Sequence, residues 1–208
     1  MTSKNRLVLA SASPRRAELL RQIGVDFTVL AVDVDETPLV DESAMAMATR
    51  LAILKAKTAQ TQCQLQGRNT AEESDVCYFL GADTFGMLKQ QFLLKPRDRQ
   101  DAVEMLLEMS GQTHQIISSV ALVGSKVEEV RLSTSEVTFR SLTQQEAELY
   151  WETGEPQDKA GAYAIQGLGS VFIKHITGSY SGIVGLPLQE TSDLLINAGI
   201  KIWNTKRV

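Results

Sequence analysis

Cysteine and histidine are scarce in this 208-residue chain, and each scarcity removes a class of chemistry. Its two cysteines, Cys63 and Cys77, are too few and wrongly spaced for a disulfide framework or a zinc site, so they read as reduced thiols. The two histidines, His114 and His175, each fall inside a strand pattern, which weighs against covalent Ser–His catalysis. Positive charge is also lacking. Twenty-one Lys and Arg against 25 Asp and Glu leave a net charge of −4, without the basic surface a nucleic-acid footprint needs. No apolar run approaches the roughly 18 residues of a membrane span, and no basic-then-apolar leader is present. A soluble, cytoplasmic protein that binds neither nucleic acid nor membrane is the expectation. No Gly-Lys-Ser/Thr loop and no dinucleotide fingerprint leading into a helix occurs. Gly178-Ser179-Tyr180-Ser181-Gly182 lacks the register of a nucleophile elbow.

What is present is an ordinary globular composition, 43% hydrophobic, with no internal repeat. One domain spanning 1–208 is expected. Leu7–Ala10 reads as a strand, and the stretch after it as a helix with Ser13 at the N-cap, Pro14 at the first position and Gly24 at the stop. A short strand at Phe27–Ala31, an acidic loop over 33–42 and a long helix from Ala44 to Gln62 follow, the helix burying Met47, Leu51, Leu54 and Thr58. Gln64–Asp75 reads as a surface loop and Val76–Gly81 as a buried strand, with a hairpin around Lys89-Gln90-Gln91. Asp98 caps a helix running to Met109. His114–Val123 and Val127–Phe139 read as paired strands, and Thr143-Gln144-Gln145-Glu146 as a capping box. The segment 154–187 is glycine-rich and mostly irregular, with one strand at Ser170–Ile176, and Pro187 starts a last helix. Helices and long antiparallel strands are mixed, which argues a mixed α/β (α+β) fold and not a doubly wound parallel one.

Arg15 and Arg16 break a local rule. They stand in a first helical turn, where the macrodipole already disfavours cations. An anion resolves the conflict, because backbone N–H groups, the hydroxyls of Ser11 and Ser13 and two guanidinium groups would all face it. Asp83 ends the apolar run Cys77–Ala82, a rigid, partly desolvated place for a metal ligand or a general base. Asp33, Asp35 and Glu36 form a loop cluster from which one carboxylate could join Asp83 around a hard divalent cation. Lys55 and Lys57 lie on the long helix, and Pro96 aims Lys95 by fixing the strand exit. The glycines of 154–169 permit close backbone approach to a ligand, and Tyr163 and Ile165 argue that this segment is ordered.

Together these residues resemble the Maf family of nucleoside-triphosphate pyrophosphatases. The resemblance lies in four blocks: Ser11-Ala12-Ser13-Pro14-Arg15-Arg16, Gly81-Ala82-Asp83-Thr84, Lys95-Pro96-Arg97, and Asp158 through Gly167. Glu36, Arg50-Leu51-Ala52 with Lys55-Ala56, Ser110–His114, and Gly178–Tyr180 with Val184–Pro187 add to it, so that residues 6 to 199 are covered. The resemblance implies an elongated mixed sheet flanked by helices, two lobes around a cleft, and an inosine-triphosphatase-like architecture. It implies hydrolysis of a nucleoside triphosphate to the monophosphate and pyrophosphate with a divalent cation, Mg²⁺ or Mn²⁺, and a homodimer. By the same resemblance Asp83 is the catalytic carboxylate. Ser11, Arg15, Arg16, Lys55 and Lys95 bind phosphate, and Glu36 with Asp83 holds the metal.

Arg15, Thr84 and Gln166 match the branch that acts on dTTP and UTP and differ from the branch that acts on 7-methyl-GTP. The chemistry agrees, since a glutamine amide accepts from the N3–H of uracil or thymine while donating to a neighbouring carbonyl. Housekeeping removal of non-standard pyrimidine nucleotides is the implied role. The alternative from another class is a non-catalytic nucleotide-binding regulator of septum formation and cell division.

Overall fold

A computed structural model of the chain describes residues 5–66 and 76–204. The loop expected at Gln64–Asp75 lies largely outside these residues. Seven strands form one mixed sheet in the order β2-β1-β3-β5-β6-β7, with β4 paired to β3. They are β1 (Arg6–Leu9), β2 (Thr28–Val29), β3 (Cys77–Leu88), β4 (Gln91–Leu93), β5 (Thr113–Val123), β6 (Glu128–Phe139) and β7 (Ile173–Thr177). The helices are α1 (Pro14–Gln22), α2 (Ala44–Leu65), α3 (Arg99–Met109), α4 (Gln144–Glu152), α5 (Tyr180–Val184) and α6 (Leu188–Asn197). Strand β1 is parallel to both β2 and β3, whereas β4 is antiparallel to β3 and β7 to β6. The mixed α/β expectation is met. Among the described residues no helix is long and apolar enough to cross a membrane.

The described chain divides into two compact units. The first comprises residues up to Asp83, Ser118–Ser133 and the segment from Gly185; the second comprises Thr84–Ile117 and Thr134–Val184. In the first unit Ala56, Ala59 and Cys63 of α2 form a core cluster with Val8 of β1, Phe79 of β3 and Val123 of β5. The buried face of α2 therefore differs from the expected one. Met47 and Leu51 are buried, but Ala48, Ala52, Lys55, Ala56 and Ala59 complete the face, while Leu54 and Thr58 are only half-buried. Alanines serve here because the strand lies very close. A Cβ placed on Gly81 would sit 2.1 Å from the Ala52 carbonyl oxygen and 2.7 Å from the Ala56 nitrogen. Gly81 also reads as a strand breaker in sequence, yet β3 runs unbroken through it for 12 residues. Asp83 thus lies in mid-strand and not at a strand end.

In the second unit Leu106, Met109, Phe139, Tyr163 and Phe172 form the core. Asp98 caps α3 by accepting from Asp101 N at 2.9 Å, and the Thr143–Glu146 capping box opens α4. The glycine-rich segment folds as three 3₁₀ turns, Glu155–Asp158, Ala160–Ala162 and Leu168–Phe172, so that the strand expected at Ser170–Ile176 begins only at Ile173 as β7; the three turns and the short α5 were not read from the sequence.

His114 is buried edge-on between Phe139 and Tyr163, its Nε2 2.8 Å from Tyr163 Oη. Burial lowers its pKa to about 4. The unfolded chain therefore takes up a proton that the folded chain refuses. The stability involved is fully present above about pH 6.5 and is lost as pH falls toward 4. At about 1.4 kcal/mol per pKa unit, acidification across that window should cost the wild type about 3 kcal/mol more than a His114→Gln variant. Urea melts at pH 7 and pH 4 measure the difference, and parallel losses in both proteins would exclude His114 as the source.

Candidate functional site

Of the charged residues singled out in the first unit, Glu36, Lys55 and Asp83 converge. Lys55, buried on α2, places its Nζ 2.6 Å from Glu36 Oε1 and 2.7 Å from Asp83 Oδ1. One ammonium thus joins a carboxylate from the acidic loop to one from mid-β3. Asp83 is 7% exposed and Lys55 8%, whereas the Glu36 side chain is 58% exposed. The other loop carboxylates do other things: Asp35 accepts from Thr37 N at 2.9 Å and shapes the turn. Lys57 pairs with Glu128 at the surface and takes no part.

Arg50 ties down the loop that follows Glu36, a role the sequence reading did not assign to it. From α2 it donates Nε and Nη2 to the two oxygens of Glu42, at 2.6 and 2.7 Å, and Nη2 also to the Thr37 carbonyl at 3.1 Å. The fork closes the 36–42 loop back onto its own helix. The hydrogen bonds from Arg50 lower the Glu42 pKa, and the same contact raises that of Arg50. A bulk charge pattern does not disclose such a clamp; the sequence signal was the block Arg50-Leu51-Ala52 with Lys55-Ala56 in the resemblance, to which no role was attached for Arg50.

Helix α1 begins as expected in position but not in bonding. Ser13 occupies the N-cap with extended backbone, yet its side chain accepts no cap hydrogen bond, and no acidic residue stands in the first turn. Instead Ser13 N donates to Ser11 Oγ at 3.1 Å. Leading N–H groups of the helix are therefore left for an outside acceptor. Arg16 turns back over this end, donating Nη1 to Ser11 Oγ at 3.3 Å and Nε to the Gly185 carbonyl at 2.9 Å. Gly185 is a second contributor without a role in the sequence reading, although the motif around it was part of the resemblance. Burial lowers the Arg16 pKa, against the pull of Asp83 and Glu36, while Arg15 pushes in the same direction as burial. Arg16 thus feels both carboxylates of the triad. Arg15, half-buried, makes no hydrogen bond or ion pair among the described residues.

Thr84, Lys95 and Gln166 belong to the second unit. Thr84 follows Asp83 on β3 and is half-buried. Lys95 is exposed just past β4, where the Leu94 carbonyl accepts from Gly161 N at 2.8 Å and so ties the strand end to the glycine-rich segment. Arg97, part of the same motif, is engaged elsewhere, in a bidentate pair with Asp101. Gln166 is exposed, flanked by buried Ile165, and its amide makes no hydrogen bond among the described residues.

Glu36 and Asp83 pass a simple test for a divalent cation. Both carboxylates bond the same nitrogen, so their oxygens are no more than about two hydrogen-bond lengths apart, and both are hard oxygen donors. No group of three or more acidic, imidazole or thiol ligands occurs among the described residues. A two-carboxylate set suits a small cation that takes its remaining ligands from water and phosphate oxygens.

Comparison with known proteins finds matches over nearly the whole chain. The family model described as Maf-like protein matches residues 6–198. A dTTP/UTP pyrophosphatase of Saccharophagus degradans is 48% identical over 197 residues, covering 95% of this chain and 90% of that protein. One of Pseudoalteromonas atlantica is 48% identical over 190 residues, with 91% and 95% covered. Another, of Alkalilimnicola ehrlichii, is 47% identical over 189 residues, with 91% of each chain covered.

Proposed function

The chain belongs to the Maf family, and from that premise we propose that it hydrolyses dTTP and UTP to the nucleoside monophosphate and pyrophosphate, as its relatives are named for doing. The observation that carries this reading is the Glu36–Lys55–Asp83 triad within the electrostatic reach of Arg16 at an uncapped helix start. Carboxylates and cations so arranged suit metal-assisted chemistry on a phosphate chain. The names of the relatives favour hydrolysis over a regulator that only binds nucleotide.

In the proposed mechanism Arg15, Arg16, Ser11 and the first-turn N–H groups of α1 bind triphosphate oxygens, and Lys95 adds a further cation. Glu36 and Asp83 would hold Mg²⁺ or Mn²⁺, which supplies charge neutralisation to the phosphates when bound. Lys55 offsets one of the two carboxylate charges and keeps both side chains aimed at one point. Asp83 orients the attacking water and accepts its proton as the water approaches the α-phosphorus. The guanidinium groups then stabilise the charge that grows on the departing pyrophosphate, so that catalysis is mostly positioning and electrostatics. Gln166 reads the pyrimidine edge, with Arg15 and Thr84 contributing to the choice of base. Two free thiols and a nucleotide substrate fit the cytoplasm. A homodimer is the proposed assembly.

A panel of nucleoside triphosphates assayed for pyrophosphate tests the reaction. UTP and dTTP should release pyrophosphate, and chelation of divalent ions should stop it; release of orthophosphate would contradict the assignment. Within this reading Arg50→Ala frees the Glu36 loop. The divalent-ion concentration for half-maximal activity should rise about tenfold to a hundredfold, the usual effect of removing a residue that orients a ligand. An unchanged metal titration would show that Glu36 does not depend on the Arg50 clamp.

A further inference from the structure

Gln166 stands on a backbone segment that is gripped on both sides by one pair of polar side chains. Tyr150, on the last turn of α4, donates its hydroxyl to Glu155 Oε2 at 2.6 Å. The same Tyr150 oxygen accepts from Ala164 N at 3.1 Å, two residues before Gln166. Glu155 accepts from Leu168 N at 3.0 Å and Gly169 N at 2.9 Å, just after it. A hydroxyl and a carboxylate thus close a clasp around the turn, leaving Ile165 buried and Gln166 exposed.

The clasp is built at some cost. Tyr150 is 5% exposed, in a core where phenylalanine would pack as well, and Glu155 is half-buried. Polar groups taken out of water are retained where their hydrogen bonds are needed, and here all go to each other or to this one segment. Gly167 completes the arrangement, since a Cβ at that position would lie 1.8 Å from Glu155 Oε1. Burial and the neighbouring Glu155 keep Tyr150 protonated as a donor. Burial works against the Glu155 charge, but the bonds from Tyr150, Gly169 and Leu168 prevail and lower its pKa.

We propose that Tyr150 and Glu155 are positioning residues for base selection, fixing the backbone from which the Gln166 amide meets the pyrimidine. The inference rests on reading Gln166 as the base-contacting residue. Neither Tyr150 nor Glu155 is assigned a contact with the nucleotide; both act through the segment they hold.

The test compares the wild type with Tyr150→Phe, Glu155→Gln and Gly167→Ala in the full chain. Gly167→Ala displaces only the end of a flexible side chain, so it opens the clasp without touching the core. Equilibrium affinities and kcat/KM are measured for UTP, CTP and GTP. Each variant should lose about tenfold to a hundredfold on UTP, the scale on which a misplaced contact acts, and its preference for UTP over the other two should collapse toward one. In a Gln166→Ala background the same changes should add nothing, because the residue they position is gone. A uniform loss on all three nucleotides, effects that multiply with Gln166→Ala, or a wild type that binds UTP no better than CTP and GTP would overturn the proposal. A wild type that prefers UTP in binding but releases no pyrophosphate would overturn the reaction assigned above, while the affinity ratios would still decide the clasp.

Discussion

Asp83→Asn is expected to lower pyrophosphate release from UTP by about a thousandfold, within the range that loss of a positioned general base produces, while leaving the fold intact. Asparagine keeps the shape of the side chain and an oxygen that can accept from Lys55, now 2.7 Å from Asp83. It removes the proton acceptor and one hard anionic oxygen. Lys55 retains Glu36 at 2.6 Å, so no buried ammonium is left without a partner. Thermal melts should therefore nearly superpose on those of the wild type, and UTP should still bind through Arg15, Arg16 and the start of α1. Steady-state kinetics with a melt of the same preparation make the check. Full activity in the variant would remove Asp83 from the chemistry; an unfolded variant would mean that the Lys55–Asp83 pair holds the fold and not only the site.

The largest expected effect on stability belongs to Gly81→Ala, at a residue that takes no part in the chemistry. The added Cβ would lie 2.1 Å from the Ala52 carbonyl oxygen and 2.7 Å from the Ala56 nitrogen. Both are helix backbone atoms, which cannot rotate aside as a side chain can. Helix α2 and strand β3 would have to separate, and Lys55 on one and Asp83 on the other would part with them. Overpacking of this kind costs about 3 kcal/mol, a fall in Tm of roughly 6–12 °C for a chain of this length. Gly86→Ala on the same strand is the natural contrast, because the nearest atom there is Leu93 Cδ1 at 2.9 Å, a side-chain end that can yield. Equal Tm changes in the two variants would refute the claim that a backbone-to-backbone approach at Gly81 sets the site.

Much of this was legible in the sequence where one residue carries one local rule. Pro14 opened α1, Asp98 and the Thr143–Glu146 box opened their helices, and the arginine pair at positions 15 and 16 stands, as read, in a first turn that carries no acidic residue and no side-chain cap. Less legible was what depends on close approach between elements. Gly81 looked like the end of a strand because a glycine alone cannot announce the helix that passes over it. The face of α2 was misassigned for the same reason: large residues mark a buried stripe in a pattern, but the tight contact here needed alanines. The clamps were not assigned at all. Arg50 with Glu42 and Tyr150 with Glu155 join residues through side-chain geometry that has no period and no composition signal. Such pairs become visible only once the turns between them have been built.

The central claim is that water, aligned by Asp83, attacks the α-phosphorus of a pyrimidine nucleoside triphosphate. Hydrolysis of UTP in ¹⁸O-labelled water, followed by mass analysis of both products, tests it most directly. One labelled oxygen should appear in UMP and none in the pyrophosphate. Label in the pyrophosphate would place the attack on the β-phosphorus, and label in released orthophosphate would place it on the γ-phosphorus; either result would contradict the account.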